Sequence, residues 1–151
     1  MTSLRGTFHH ALDAKHRLTI PAKFRAVLAG GVVLAPSSEI EAGSVRGVAI
    51  WTPAAYDEYT RAVLGGLNAG SPVAREMKRF FFNASFDTEL DSANRVMIPA
   101  PLIAYAGLTK EVTVTGSGEC LEVFDRAAYE QSFEDVLNRI PELTARLGDT
   151  A

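Results

Sequence analysis

The chain has 151 residues, 47% of them hydrophobic, and a net charge of −3 at pH 7, which places it among soluble globular proteins. No apolar run approaches the roughly 18 residues of a membrane-spanning helix, and the first residues lack the apolar stretch of a signal peptide. The single cysteine, Cys120, excludes an internal disulfide and cannot build a zinc site alone. We therefore predict a cytoplasmic protein without membrane association.

The first predicted elements are two strands, over residues 5–13 and over Arg17–Ile20, where polar and apolar residues roughly alternate. Asp13 begins a turn between them, because an aspartate side chain accepts hydrogen bonds from backbone N–H groups two residues on. His16 stands just before the arginine, and histidine is one of the residues enriched at positive φ. The sequence therefore predicts a hairpin whose turn is the segment 13–16.

A short helix is predicted after the second strand. Pro21 suits the first turn of a helix and cannot continue a central strand, so the helix covers 22–28 and ends at the glycines that follow it. Two more strands are predicted over 32–36 and 48–52. Each half of the chain is then expected to contain strand, strand, short helix, strand and strand.

Two longer helices follow, from Pro53 to about Leu64 and from Pro72 to about Phe82, with apolar residues near helical spacing. The segment 79–86 (RFFFNASF) is too apolar to be freely exposed. It is predicted to belong to the core or to an oligomer interface, and the alternative is an aromatic platform that stacks on bases.

The second half of the chain repeats the first. The sequence LDSANRVMIPA at 90–100 matches LDAKHRLTIPA at 12–22, 78 positions earlier. A second match, between 48–59 and 121–132, has an offset of 73, so the first copy has five extra residues, which we place in the stretch 35–47. A repeat at a fixed offset indicates two copies of one small unit. Each copy has only about 70 residues, so the two are expected to share a core.

The repeat predicts the elements of the second copy. A helix is expected over 99–108, and strands over 111–116 and 120–124. A last helix begins at residue 125 or 126 and reaches about Ile140, and the tail after Pro141 is expected to fray.

Positive charge is concentrated at the start of the chain. Residues 1–30 contain five lysines or arginines against one aspartate, a balance of +4, so the remainder has a balance of −7. The three histidines of the chain lie in the same segment. This asymmetry favours a localised anion-binding face, and the alternative is an ordinary solvated basic surface.

Other kinds of site have little support. His9 and His10 are adjacent on a predicted strand, so their side chains point to opposite faces, which disfavours a metal site. Cys120 is predicted to be a small core residue at the start of a strand, because no nucleophile-elbow pattern is present. The phosphate-binding and dinucleotide-binding motifs are absent as well. We predict no cofactor, no metal and no enzymatic activity.

The two Asp–Arg pairs of the repeat, Asp13 with Arg17 and Asp91 with Arg95, can each be structural or functional. A surface pair of this kind contributes only about 0–1 kcal/mol, so stability alone is a weak reason to build it twice. The first pair has basic neighbours, namely Lys15, His16 and Lys23, whereas the acidic Asp87 and Glu89 precede the second. Since arginine can bind guanine O6 and N7, and lysine suits phosphate, the first copy is the better candidate for contact with DNA.

These motifs resemble the MraZ family of bacterial regulators of the division and cell-wall gene cluster. The resemblance extends over most of the chain, through residues 5–25, 79–108 and 111–130. It implies a mainly β fold with short α-helices (α+β), in which two tandem swapped-hairpin SpoVT-AbrB-like units form one pseudo-symmetric domain. The implied division is repeat 1 at 7–54, a helical connector at 55–83, repeat 2 at 84–127, and a C-terminal helix and tail at 128–151.

The resemblance also implies a function: repression of the division and cell-wall cluster, including the protein's own promoter, from a nucleoid-associated position. The protein would bind double-stranded DNA at short repeated G-rich elements as a ring-shaped homo-oligomer, an octamer or larger. The DNA-contacting residues that the resemblance implies are Arg17 for base contact, Lys15 for phosphate, Arg5 and Lys23 as further phosphate contacts, and Asp91 and Arg95 with a weaker share. Asp13 forms the turn, and His16 lies in the same loop.

The chain departs from the family pattern at three positions. His16 and Asn94 occupy the place of the usual glycine before the arginine, and Ile103 replaces an arginine that is often found after the second proline. Two alternatives stay open. One is an oligomeric assembly or protein-interaction module without DNA binding. The other is an antitoxin-like DNA binder, which would need a longer disordered C-terminal extension than the roughly ten residues after Pro141.

Overall fold

A computed structural model describes residues 3–37 and 44–150, with burial of side chains described up to residue 148. The strands are β1 (Leu4–Ala11), β2 (Arg17–Thr19), β3 (Val32–Pro36), β4 (Val48–Trp51), β5 (Phe86–Thr88), β6 (Arg95–Met97), β7 (Glu111–Gly118) and β8 (Leu121–Asp125). The helices are α1 (Arg25–Leu28), α2 (Pro53–Gly65), α3 (Pro72–Lys78), α4 (Ala100–Ala106) and α5 (Arg126–Thr150). A 3₁₀ turn at Ala22–Phe24 precedes α1, and a π-helical turn at Arg79–Asn83 follows α3. Part of the predicted insertion, residues 38–43, lies outside the described residues.

The strands are exchanged between the two halves of the chain. Six of them form an antiparallel sheet in the order β1-β7-β8-β4-β3-β5, and β2 pairs with β6 in a separate two-stranded ribbon. Strand β1 pairs with β7, where Phe8 lies opposite Val114, and β5 pairs with β3, where Phe86 lies opposite Leu34. Strands β1, β3 and β4 of the first half correspond to β5, β7 and β8 of the second. Replacing each strand by its counterpart gives the same order read from the other edge of the sheet. The predicted α+β class, with two swapped-hairpin units in one pseudo-symmetric domain, is confirmed.

The expectation of a local hairpin at residues 13–16 was only partly right. The turn forms, but the strands on either side of it separate, because β1 continues into the large sheet and β2 into the ribbon. Alternation of polar and apolar residues fixes which face of a strand is buried. It does not specify which strand lies next to it.

Two hydrophobic clusters lie on opposite faces of the sheet, because alternate residues of a strand point to opposite sides. The larger cluster contains Leu34 and Ile50 and is closed by the fully buried Leu18 and Val96 of the ribbon. The smaller cluster is covered by α2 and by the turn after α3. Its buried members are Val33, Ala35, Ala49, Trp51, Tyr56, Phe81 and Cys120. The ribbon therefore presents one face to the core and the other to solvent.

The helices begin and end where local chemistry favours it. Thr52 Oγ1 accepts a hydrogen bond from Ala55 N (3.2 Å) at the start of α2, and Ser71 Oγ accepts one from Ala74 N (3.0 Å) at the start of α3. Each cap is followed by a proline in the first turn. Helix α4 ends at Gly107, which has a φ of 60° and forms a left-handed C-cap.

Helix α5 is longer than predicted. It continues through Pro141 to Thr150, whereas the sequence predicted a helix to about Ile140 and a frayed tail after Pro141. A proline inside a helix removes one backbone hydrogen bond and bends the helix, but it does not have to end it. Glu142, Leu143, Ala145 and Arg146, which follow, are all strong helix formers. None of the helices within residues 3–37 and 44–150 is long and apolar enough to cross a membrane.

Candidate nucleic-acid interface

Asp13 organises the turn that precedes β2. One carboxylate oxygen, Oδ1, accepts hydrogen bonds from the backbone N–H groups of Lys15 and Arg17, both at 2.9 Å, and Oδ2 accepts one from Arg17 Nε at 2.6 Å. The backbone adds a bond from His16 N to Asp13 O at 3.0 Å. His16 has a φ of 57°, so it occupies the left-handed region as its position predicted. A single side chain thus fixes both the turn and the orientation of the arginine.

The second copy reproduces this geometry closely. Asp91 accepts bonds from the backbone N–H groups of Ala93 and Arg95 at 2.9 Å and from Arg95 Nε at 2.9 Å. Asn94 has a φ of 59°. Each turn also accepts a backbone hydrogen bond from the residue that follows the ribbon strand of the other copy: Ile20 N donates to Asn94 O, and Ile98 N donates to His16 O, both at 2.9 Å. The turns therefore lie at opposite ends of the ribbon.

The hydrogen bonds also change the acidity of the two carboxyl groups. The backbone N–H of Arg17, followed by its side chain and the N–H of Lys15, lowers the pKa of Asp13 from 3.8 to about 2 against a smaller effect of desolvation. At the second turn, the backbone N–H of Arg95, followed by the N–H of Ala93 and the Arg95 side chain, lowers the pKa of Asp91. Both groups are charged in the folded turn at any pH near neutrality.

Acid is expected to loosen the turn. Since the folded pKa of Asp13 is depressed, its contribution to stability is complete above its ordinary pKa of 3.8 and is lost as pH falls toward about 2. The amide ¹H–¹⁵N signals of Lys15 and Arg17 should therefore move together with a midpoint near pH 2. The Asp13→Asn variant, which cannot titrate, should show no such step. A midpoint at 3.8 would mean that the carboxyl is not held as described.

Both arginines project from the exposed face of the ribbon. Leu18 and Val96 point into the core, so the residues on either side of them face outward: Arg17, Thr19, Arg95 and Met97. Arg17 lies opposite Met97, and Arg95 lies opposite Thr19, which makes the two arginines diagonal neighbours roughly 7–8 Å apart. A two-stranded ribbon of this kind fits the major groove of B-form DNA.

The surroundings of the two turns differ in charge. The first turn contains the exposed Lys15, and the exposed Lys110 lines a cleft of about 550 Å³ next to Asp13 and His16. Lys110 belongs to the other half of the chain and reaches this turn through its carbonyl oxygen, which accepts a 2.8 Å bond from Leu12 N. Ala93 is equivalent to Lys15 in the repeat. The strand register, in which Leu34 lies opposite Phe86 as Val114 lies opposite Phe8, makes Gly30 equivalent to Lys110. Both positions are uncharged, and Asp87 and Glu89 are exposed before the second turn.

Not every predicted residue lies at the turn. Lys23 Nζ donates to the backbone carbonyl of Arg5 at 3.1 Å, so these two residues are in contact. Arg5 is near the start of β1, about 20 Å of strand from Ala11 at the other end, given a rise of about 3.3 Å per residue. The structure therefore groups Asp13, Lys15, His16 and Arg17 and places Arg5 with Lys23 elsewhere.

Two residues at the site were not predicted from the sequence, namely Lys110 and Arg25. Lys110 carried no local signal, because it reaches the first turn only through the exchange of strands. Arg25 donates from Nε to the carbonyl of Ile20 at 2.9 Å and so supports the end of the ribbon. The pKa of His10 is lowered chiefly by burial of the ring and, to a smaller extent, by the positive charge of Arg25. The counterpart of Arg25 in the second copy is Ile103, which packs against the core instead.

His9 and Cys120, the other residues considered as candidate sites, lie in or beside the large sheet. His9 Nδ1 is 3.3 Å from Thr113 Oγ1 on the neighbouring strand, and Cys120 is buried just before β8. Across the described ranges, no three His, Cys, Asp or Glu side chains converge as metal ligands would.

Comparison with known proteins agrees with this architecture. The family model described as "MraZ protein, putative antitoxin-like" matches residues 3–79 and again 81–147. The chain is 34% identical over 144 residues to the "Transcriptional regulator MraZ" of Mycoplasmoides gallisepticum, covering 95% of this chain and 96% of that protein. It is 35% identical to the protein of the same name from Lactiplantibacillus plantarum, with 95% and 97% covered. The one from Kocuria rhizophila is 36% identical over 132 residues, with 86% of each chain covered.

Proposed function

The chain belongs to the MraZ family, and on that premise we propose that it is a DNA-binding transcriptional regulator that contacts bases through the β2–β6 ribbon. Its relatives are named as transcriptional regulators, which is a role without catalysis. The proposed place of action is the cytoplasm, in association with the nucleoid. The proposed division of the chain remains repeat 1 at 7–54, a connector at 55–83, repeat 2 at 84–127 and a C-terminal segment at 128–151.

The observation that carries the proposal is the presentation of Arg17 and Arg95 on the outer face of the ribbon. Each ion pair engages Nε, at 2.6 Å for Arg17 and 2.9 Å for Arg95. Among the described residues, the terminal amino groups of these arginines have no hydrogen-bond partner, so both can donate in parallel to guanine O6 and N7. Holding the guanidinium through Nε restricts its rotation before DNA arrives, which reduces the ordering cost of binding.

The charge around the turns supports an unequal division of work. Lys15 in the first turn and Lys110 beside it are the proposed phosphate contacts, and His16 lies on the surface of the turn. We assign Arg17 as the principal base-contacting residue. Arg95, with the acidic Asp87 and Glu89 before its turn, is assigned a weaker share. Arg5 and Lys23 form a separate basic pair, which suits the backbone of DNA that extends beyond the contacted bases.

One loop per subunit is too little for a specific site. An arginine–guanine contact provides about 1–3 kcal/mol of discrimination. A ring that presents several loops to repeated G-rich elements would gain about 10²- to 10⁴-fold through effective concentration. The proposed target is the protein's own promoter, upstream of the division and cell-wall cluster, and occupancy there would exclude RNA polymerase and repress transcription.

The test is fluorescence anisotropy with labelled DNA from the region upstream of the gene for this chain. Binding should be tighter than to scrambled DNA, should weaken steeply as salt rises because phosphate contacts release counterions, and should be about 10²- to 10⁴-fold tighter for an array than for one isolated element. Equal affinity for one element and for the array would contradict the ring mechanism while leaving DNA binding intact.

The alternative function is an assembly or protein-interaction module, which is favoured by the exposed apolar residues along α5. The same titration separates the two. A folded oligomer that binds promoter DNA no better than scrambled DNA would reject the regulator and favour the assembly module. An antitoxin-like role shares the DNA-binding prediction and would additionally require a toxin partner.

A further inference from the structure

The outer face of the β2–β6 ribbon contains two arginines and two side chains that end in methyl groups. Arg17 lies opposite Met97, and Arg95 lies opposite Thr19, so each cross-strand pair joins one arginine to one methyl-bearing residue. Met97 and Thr19 are both exposed. The proposed function gives a role to the arginines, and the two residues between them have none so far.

Met97 is the larger and more apolar of these two side chains. It is 59% exposed, whereas its neighbours Val96 and Ile98 are only 0% and 1% exposed. The chain is thus anchored in the core on both sides of Met97, and the Met97 side chain itself is left in solvent. A single exposed apolar residue is ordinary on a protein surface, so the exposure alone indicates nothing. The position is informative, because it lies on the face that we assign to DNA.

The spacing of Met97 and Arg17 suits neighbouring bases. Residues directly opposite each other in an antiparallel pair have Cβ atoms roughly 5 Å apart. Successive bases on one strand of DNA are about 3.4 Å apart along the helix axis. Asp13 holds the Arg17 guanidinium through Nε at 2.6 Å, so a guanine bound by Arg17 has a defined place relative to Met97. Met97 therefore reaches the base pair next to that guanine, in the same groove.

The chemistry of Met97 favours one base. In the major groove thymine presents a C5 methyl group, whereas guanine and adenine present hydrogen-bonding groups and cytosine presents an amino group. A methionine side chain is unbranched and polarizable, so it adapts to an apolar surface of irregular shape. Its sulfur is only a weak hydrogen-bond acceptor and cannot replace the polar contacts that the other bases need. Thymine is therefore the base that Met97 can select.

We propose that Met97 selects a thymine next to the guanine bound by Arg17, through contact with the thymine C5 methyl group in the major groove. One cross-strand pair then reads two bases, the guanine by hydrogen bonds and the thymine by apolar contact. Thr19 has the smaller share, because it lies opposite Arg95, whose turn has the acidic surroundings. This inference rests on the proposed function and names a second base and the residue that selects it.

Deoxyuridine tests the contact at the level of one methyl group, because it pairs as thymidine does and lacks only the C5 methyl. Each thymine of one isolated promoter element is replaced in turn, and binding is measured by fluorescence anisotropy at constant salt. The wild-type protein should bind about 4-fold more weakly when one particular thymine, adjacent to a guanine, is replaced, which is the effect of one buried methyl group. Met97→Ala should bind the natural element about 4-fold more weakly or worse, and should show no further loss at that thymine.

Three controls separate the contact from a general weakening of binding. Met97→Leu keeps an apolar side chain and should keep the loss at that thymine. Thr19→Ser removes the methyl group of the equivalent residue and should leave that loss unchanged. The salt dependence of Met97→Ala should equal that of the wild type, because a contact with a methyl group neutralises no phosphate. Thermal unfolding should show all three variants folded, since both positions are exposed.

Several results would overturn the proposal. One is a wild type that prefers promoter DNA over scrambled DNA but responds to deoxyuridine at no thymine beside a guanine, which would reject the contact and leave the proposed function intact. Another is a loss at one thymine that persists unchanged in Met97→Ala. A loss that disappears in Thr19→Ser but not in Met97→Ala would assign the contact to the other cross-strand pair. A wild type without any preference for promoter DNA would reject the proposed function and this inference with it.

Discussion

The Arg17→Ala variant is expected to lose specific DNA binding, whereas Arg95→Ala should weaken it far less. Removing one bidentate guanine contact costs about 1–3 kcal/mol, which is roughly 5- to 150-fold for a single loop. Because every loop that engages an array loses the same contact, the reductions combine, and the affinity for the array should fall more than about 100-fold. Anisotropy titrations against promoter and scrambled DNA measure both the affinity and the discrimination.

The second arginine is a closely matched control. The side chains of Arg17 and Arg95 are 30% and 32% exposed, and each pairs through Nε with an aspartate four residues earlier. They differ mainly in what surrounds them. Arg17→Lys extends the test, because lysine keeps the charge but lacks the planar fork. It should keep the salt dependence and lose the preference for promoter DNA. Equal losses in the two alanine variants would mean that the turns share the contact equally.

The turns are the part of the site that the sequence predicted best. Their geometry is local: an aspartate that accepts backbone hydrogen bonds and a residue that tolerates positive φ are enough to define it. Asp13 and His16, with Asp91 and Asn94, show these properties in the sequence and adopt the expected conformation. The helices beginning at Pro53 and Pro72 were predictable for the same reason, since caps and first-turn prolines act within a few residues.

The exchange of strands could not be derived from local patterns. In β1 the polar and apolar residues alternate as they would in any half-buried strand, and nothing in that alternation selects Val114 rather than a nearby residue as the partner of Phe8. The resemblance supplied this topology. It did not supply the position of Lys110 beside the first turn, because a lysine in a short loop looks like any solvated charge until the sheet brings it across.

The role of the aromatic segment was also decided by tertiary structure. RFFFNASF was predicted to lie in the core or at an oligomer interface, and its residues divide between the core and the exposed surface. Phe81 is buried on Tyr56, whereas Phe82, one residue later, is 51% exposed. Composition alone cannot separate neighbours of the same type. The direction in which each side chain points is set by the π-helical turn at 79–83.

The Gly116→Ala variant is expected to destabilise the fold by about 3 kcal/mol or more, a large fraction of the stability of a small domain. Gly116 in β7 lies opposite Gly6 in β1, where the two strands approach closely. A Cβ at position 116 would lie 2.4 Å from the backbone nitrogen of Arg5 and 2.6 Å from the carbonyl carbon of Leu4. Backbone atoms cannot rotate away as a side chain can, so the strands must separate.

Gly65→Ala is the matched control, because a Cβ at the last residue of α2 meets nothing within 4 Å. It should leave stability unchanged or raise it by up to about 1 kcal/mol, since alanine favours the helix. Urea unfolding gives both values. A wild-type midpoint for Gly116→Ala would show that the end of β1 is not tightly held. A large loss would show that the exchanged strand is a main support of the fold, because β1 is bound to the large sheet through β7, from the opposite half of the chain.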